Sequence, residues 1–410
     1  MKQAQGYFWV IGGGLLQVPL IEEVKKLGLK AIVTDRNPSC VCREKADLFF
    51  TSDIFDIPGH LNIAKKLQSD GVHIAAVLAA GIDATETMAV LAAELRLPGV
   101  NPEIARITNN KDLYRQRLKE LGYPVPKFQV IDQSNLEQLP DIAKEIGFPL
   151  IIKNTSSSGS RGTRIFYVPD FKAMHEAALN AISVSRSKKA LIEEFWEGEE
   201  QSVETLFDIH GNFHPCFITD RLFEKKDGYA IEIGLRNPSI LSEAIQKEMF
   251  DLACRVAKDL GIKTGAAKFD MILTENGPRI IEMTTRLTGG FDCQYLVPAA
   301  TGQNVLCAAA LTALGQQFPK ELLEKTKNKV GLTGSIWPNP GRIVAIEGLE
   351  DAKKVPGLEH VFFRYKVGDT IESYVDCTKR VCFIIVTGET ESDARRALIE
   401  VKERIKIKVI

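Results

Sequence analysis

The chain has 410 residues, more than one compact core usually organises, so two or three domains are expected. Its 52 basic and 53 acidic residues leave a net charge of −1. That balance supplies no overall field to draw in nucleic acid or an anionic membrane, so any anion site must be local. No apolar run reaches the ~18 residues needed to span a bilayer, and Met1–Gly6 leads into a strand pattern rather than a secretory apolar region, which points to the cytoplasm.

In chain order, Tyr7-Phe8-Trp9-Val10-Ile11 predicts a buried strand, followed by Gly12-Gly13-Gly14 and a helix from Val18 to Leu27. Ala31–Asp35 and Ile74–Leu78 predict further strands, and strands alternating with helices predict a parallel, doubly wound sheet. The glycine run with Asp35 beyond it is a poor dinucleotide fingerprint, because the third glycine position is Gln17; a tight turn that admits a small ligand fits better. The chain leaves this domain between Pro98 and Asn110. Asn109-Asn110-Lys111 then opens a helix to Leu121, ended by Gly122-Tyr123-Pro124.

Short strands around a Ser/Gly loop are expected from Phe128 to Thr205, and a long helix from Leu241 to Leu260. Two strands joined at Glu275-Asn276-Gly277 come next, then an Ala- and Leu-rich helix at Gln303–Gly315 and a polar segment, Pro319–Lys329. The last stretch predicts strands at Gly341–Val344 and Cys382–Val386 and a helix from Glu391 to Arg404. The eight cysteines form no CxxC pair and the six histidines no HExxH, which argues against a zinc enzyme and for reduced cysteines.

Three constellations carry chemistry. The first is Lys153-Asn154-Thr155-Ser156-Ser157-Ser158-Gly159-Ser160-Arg161-Gly162-Thr163, directly after the apolar strand Phe148–Ile152. Small residues let backbone N–H groups approach phosphate oxygens, and Lys153 and Arg161 add positive charge; no GKS or GKT makes it a Walker A loop. The second is the acidic run Glu193-Glu194-Phe195-Trp196-Glu197-Gly198-Glu199-Glu200 between two strands, a hinge suited to stacking a base and offering a carboxylate to ribose.

The third is the hairpin with Asp270 five residues before Glu275 and Glu282 five after Gly277. The two carboxylates are expected to face each other and to need a divalent cation between them, hard oxygen ligands suiting Mg²⁺. Arg286, four residues beyond Glu282, is placed to meet developing phosphoryl charge.

With these motifs in this order, the sequence resembles the ATP-grasp superfamily over nearly its whole length, and the bacterial L-amino-acid ligases more closely than biotin carboxylase or carbamoyl-phosphate synthetase. Pro340-Gly341-Arg342-Ile343, Glu347-Gly348-Leu349 and Lys366-Val367-Gly368-Asp369 resemble the C-terminal domain of the amino-acid ligases. The resemblance implies an α/β chain, α+β in the ATP-binding part. An N-terminal doubly wound parallel-sheet domain (1–105) would precede an ATP-grasp domain (106–328) with a mobile lid (130–205), and a small C-terminal α+β domain (329–410) would follow.

It implies that Lys111 and Lys153 hold the ATP phosphates and that Ser157, Ser158, Gly159, Ser160, Gly162 and Thr163 close over them. Glu193, Glu194, Phe195 and Trp196 would form the adenine hinge, and Glu200 would bind ribose. Asp270, Glu282 and Thr284 would bind Mg²⁺, with Mn²⁺ the alternative cation; Thr284 stands where the family usually has asparagine. Arg286, Lys153 and Arg161 are the catalytic residues so implied, and Glu232, Arg286, Gly289 and Gly290 the substrate residues.

The activity implied is that of an ADP-forming carboxylate–amine ligase acting through an acyl phosphate on small-molecule substrates, the carboxylate an amino acid. No nucleic acid or membrane partner is expected, and a homodimer is the assembly similar enzymes suggest. The alternatives are a purine-pathway or carbamoyl-phosphate-type ligase and a non-catalytic nucleotide-binding regulator.

Overall fold

The structure, a computed structural model, describes residues 6–410, the side chain of Thr378 excepted. Strands β1 (Tyr7–Ile11), β2 (Lys30–Asp35), β3 (Leu48–Thr51) and β4 (Ile74–Leu78) form a parallel sheet in the order β3-β2-β1-β4. Phe8, Trp9, Val10 and Ile11 are all buried, as a parallel strand covered on both faces requires. The one polar atom Trp9 brings in, Nε1, donates to Thr34 Oγ1 at 3.1 Å. Helices Val18–Lys26 and Val305–Ala313 pack together over this sheet, so residues from late in the chain complete its core.

The glycine turn after β1 is closed by Asp35, whose carboxylate accepts from Gly13 N and Asn37 N, both at 2.8 Å. That use of Asp35 leaves its carboxylate engaged by the turn itself rather than open to the ribose of a dinucleotide.

A second sheet comprises β5 (Phe128–Ile131), β6 (Leu150–Asn154), β7 (Arg164–Phe166) and β8 (Ala190–Glu194), antiparallel in the order β5-β8-β6-β7. Helices Leu139–Ile146 and Phe171–Val184 cover its apolar face. The Ser/Gly loop joins β6 to β7 and lies against the second helix at Gly162. There φ is +61°, and a Cβ would stand 2.7 Å from Val184 and 3.1 Å from Ala181, so only glycine fits.

The central sheet begins with β9 (Glu199–Phe207), β10 (Phe213–Lys226), β11 (Tyr229–Asn237), β12 (Gly265–Thr274) and β13 (Gly277–Thr284). The C-terminal strands are β14 (Val330–Gly334), β15 (Gly341–Glu347), β16 (Leu358–Phe363), β17 (Thr370–Ile371), β18 (Cys382–Gly388) and β19 (Lys406–Val409). Eight of these strands form one sheet, β13-β12-β9-β10-β11-β14-β18-β16, and β17-β15-β19 form a small separate one.

The expected border at residue 329 is therefore no break in the sheet. Arg236 and Asn237 of β11 pair with Leu332 and Gly331 of β14, and the C-terminal strands extend the surface on which the site is built. The long β10/β11 hairpin escapes the sequence pattern because the end of β10, Glu224-Lys225-Lys226, is exposed and charged.

Candidate active site

Strands β12 and β13 pair antiparallel with Asp270 directly opposite Glu282. The repulsion expected between the two is met by cations of the chain itself. Asp270 is bound by Lys268 and, at 3.1 Å, by Arg221 Nη1, while Lys111 Nζ lies 3.4 Å from Glu282. Burial pushes the Asp270 carboxyl up, but Arg221 and Lys268 more than offset this and hold it at about 2.

Arg221, on the neighbouring β10, also binds Glu200 at 3.0 Å and Glu232 at 2.8 Å, so one guanidinium ties three carboxylates from three strands. Arg380 approaches Glu232 from the C-terminal side at 2.7 Å. Glu232, expected among the substrate residues, is thus engaged by two arginines of the chain itself.

Two lysines enter from the other side. Lys111, the first residue of helix Lys111–Glu120, donates through Nζ to Ser157 O at 2.9 Å, and its backbone N–H donates to Thr155 O at 2.8 Å. Lys153 on β6 binds Glu193, which also accepts from Arg115 Nε at 2.9 Å. Burial would raise the Glu193 carboxyl; Arg115 and Lys153 together bring it to about 2. Glu193 thus orients Lys153 rather than facing a base. Arg115, one turn along the helix from Lys111, belongs to the same device, and that spacing was the signal available in the sequence.

Beyond β13 the chain turns at Arg286, whose Nη2 binds Asp83 of the N-terminal region at 3.2 Å. The next residues are pinned from both sides: Thr288 N–H donates to Glu204 at 2.7 Å, and Gly81 N–H donates to Leu287 O at 3.1 Å. Burial drives the Glu204 carboxyl up to about 8, against the Thr288 N–H bond and Lys268.

These elements enclose a cavity of about 580 Å³. Lys111, Lys153, Ser157, Ser158, Gly159, Ser160 and Thr163 line it, with Phe195 and Glu200 on the same wall. Asp270, Glu282, Thr284, Arg286, Glu232, Gly289 and Gly290 line the rest. Arg161, Gly162, Glu193, Glu194 and Trp196 are not among its lining residues; Arg161 Nε donates back to Ser158 O at 2.9 Å, bracing the loop from within. Cavity residues that sequence reasoning missed are Arg221, Lys268, Arg364 and Arg380.

No group of three or more His, Cys, Asp or Glu side chains suited to a metal ion occurs among the described residues. The donors present still fit a divalent cation that brings phosphate oxygens with it. Asp270 and Glu282 offer hard oxygens into the cavity, and Thr284 Oγ1, two residues along the same strand from Glu282, is buried without a hydrogen-bond partner among the described residues.

The family model "Carbamoyl-phosphate synthase L chain, ATP binding domain" matches residues 110–321, and "L-amino acid ligase C-terminal domain 2" matches residues 336–409. The uncharacterized protein y4rH of Sinorhizobium fredii is 25% identical over 392 residues, covering 91% of this chain and 77% of its own. The L-amino acid ligase from Bacillus licheniformis superposes with a TM-score of 0.82 at 21% identity, over 100% of both chains. The biotin carboxylase domain of Hydrogenobacter thermophilus 2-oxoglutarate carboxylase, solved with MgADP and bicarbonate, gives a TM-score of 0.73 at 19% identity, over 98% of this chain and 90% of its own. No helix among the described residues is long and apolar enough to cross a membrane.

Proposed function

Since this chain belongs to the ATP-grasp ligases, the family of the carbamoyl-phosphate synthase L chain ATP-binding domain, we propose that it activates an amino-acid carboxylate as an acyl phosphate and couples it to an amine, releasing ADP and phosphate. The observation that carries this reading is that one cavity is lined together by Lys111, Lys153, Arg286 and the facing Asp270–Glu282 pair. Phosphoryl transfer asks a protein for positioning and charge neutralisation more than for a covalent nucleophile, and this cavity is furnished for both.

In the proposed site Lys111 and Lys153 hold the polyphosphate, and Arg115 and Glu193 keep Lys153 aimed. Backbone N–H groups of 157–163 close over the phosphates and exclude water, which would otherwise hydrolyse the activated acid. Asp270 and Glu282, with Thr284 beside them, would hold Mg²⁺, which would supply neutralising charge at the phosphates. Phe195 supports the base and Glu200 the ribose. Arg286 stabilises the charge that gathers on the transferred phosphoryl group.

The C-terminal match to an L-amino acid ligase domain supports an amino acid as the acid. One observation favours a second reading, a carboxylate without an ammonium group: Glu232 is already engaged by Arg221 and Arg380. ADP release with Mg²⁺ and ATP, against amino acids offered singly and in pairs, tests the proposal. Release that requires two amino acids together is the expected result. Release with other carboxylates and none with amino acids would overturn the amino-acid assignment.

A further inference from the structure

A primary amine is an ammonium ion at neutral pH and has no lone pair to offer an activated carbonyl, so the coupling step needs a base within reach. Most carboxylates of the cavity are already committed to cations. Glu200 is bound to Arg221, Glu232 to Arg221 and Arg380, Asp270 to Arg221 and Lys268, and Glu282 to Lys111.

Asp292 stands apart. It lines the same cavity just past Gly289 and Gly290, is fully buried, and makes no ion pair among the described residues. Its Oδ1 accepts from the Thr219 hydroxyl at 3.0 Å, while Oδ2 is buried with no hydrogen-bond partner among the described residues. The preceding Phe291 has a left-handed backbone (φ +67°) and stacks on Phe362 with ring centroids 4.7 Å apart. An unpartnered, buried carboxylate oxygen is costly to keep, and such a group in a cavity wall is a mark of chemistry rather than of stability.

We infer that Asp292 is the catalytic base that takes the proton from the incoming amine. The ammonium gives one proton to Asp292, and the freed lone pair attacks the acyl carbon. The new C–N bond forms as the C–O bond to phosphate breaks. The departing phosphate carries away the bonding pair together with the second nitrogen proton, and Asp292 then returns its own proton to solvent. Arg286 remains beside the departing phosphate. This inference rests on the ligase reading above.

The surroundings suit the task. Burial pushes the Asp292 carboxyl up to about 7, opposed by the Thr219 bond and by Lys268, reinforced by Glu232, and opposed again by Arg221. Glu204 and Cys293 are the other titratable groups that face it. A base that titrates near neutrality is matched to proton transfer at neutral pH, which a fully solvated carboxylate is not.

The test separates activation from coupling. Purified wild-type and Asp292→Asn enzymes receive Mg²⁺, ATP and single amino acids as the acid. The nucleophile is either a second amino acid or hydroxylamine, which is unprotonated at neutral pH and attacks an acyl phosphate without help. The variant is expected to form hydroxamate at the wild-type rate while losing amide formation by roughly 10²–10⁴-fold.

The wild-type coupling rate is expected to fall as pH falls through about 7, and the variant to lack that limb. A Thr219→Val enzyme, which keeps the carboxylate but removes its donor, is expected to move the limb to higher pH with hydroxamate formation unchanged. Equal loss of both products in Asp292→Asn, undiminished amide formation, or an unmoved limb in Thr219→Val overturns the assignment. A wild-type enzyme that makes no hydroxamate from any amino acid overturns instead the reading on which it rests.

Discussion

The N-terminal sheet and the central sheet bury opposite chemistries. Around β1 the buried side chains are Phe8, Trp9, Val10 and Ile11, and the polar atoms that enter find partners close by, as Trp9 Nε1 does in Thr34. The middle of the central sheet instead buries Glu204, Glu232 and Lys268 on three strands, with Arg221 and Asp270 only slightly more open. Hydrocarbon burial stabilises in proportion to area, whereas a buried ion pair roughly cancels its own desolvation. The first region therefore holds the fold, and the second is retained at some cost in stability for what it does.

The largest expected effects fall on stability, and they separate apolar from charged burial, the latter also present where the second sheet meets helix Lys111–Glu120, by kind rather than size. Trp9→Ala should cost about 3–5 kcal/mol through the cavity it leaves, with kinetic constants of the folded fraction unchanged. Arg115→Ala should cost a similar ~3–5 kcal/mol, because it strips one of the two cations from a buried carboxylate. Here ATP affinity should fall as well, since Glu193, the partner of Lys153, loses its brace.

The acid side of the stability profile should also move. With Glu193 held at about 2 when folded, its contribution is present above the ordinary carboxylate range and is lost as pH falls toward 2. In Arg115→Ala that loss should begin at higher pH. Denaturant titrations across acid pH, beside ATP binding, check both variants; an Arg115→Ala enzyme with unaltered ATP affinity would break the contrast.

Next comes activity without stability. Glu282→Gln should lower turnover by at least about 10²–10³-fold while leaving the unfolding midpoint close to wild type, since the side chain's shape is kept. Steady-state ADP release and thermal unfolding of the same preparation decide it, and normal turnover would remove Glu282 from the metal pair.

The smallest effect concerns Glu204. Its folded carboxyl titrates at about 8, above the unfolded value, so the native state holds a proton that the unfolded chain has released. Stability from this group is full at acid pH and declines as pH rises toward 8. Glu204→Gln should therefore be more resistant to unfolding than wild type at alkaline pH and equal to it in mild acid. An identical pH dependence in both proteins would show that Glu204 is ionised in the fold.

How much of this was legible in the sequence follows the same division. The strand Tyr7–Ile11 declared itself by an apolar run, and the helix Glu391–Arg404 by its periodicity. Asp270 and Glu282 were legible as a facing pair because a tight turn fixes register by counting. Arg221 was not, because it lies within a strand that ends in exposed charges and its three partners come from three other strands. Glu204 reads locally like any surface carboxylate; only burial distinguishes it, and burial is a property of the assembled sheets. The junction of β11 with β14 was hidden for a related reason, since pairing between strands so far apart in sequence leaves no local pattern. Glu193 was read as part of a base-binding hinge because its partners, Arg115 and Lys153, are brought to it only by the fold.

The most direct test of the central claim is the fate of oxygen from the acid. The enzyme is incubated with Mg²⁺, ATP and a substrate amino acid carrying oxygen-18 in its carboxylate, with the amine partner present, and the released phosphate is analysed by mass spectrometry. Activation through an acyl phosphate predicts one labelled oxygen in each phosphate and ADP as the sole nucleotide product. Unlabelled phosphate, or AMP with pyrophosphate, would contradict it.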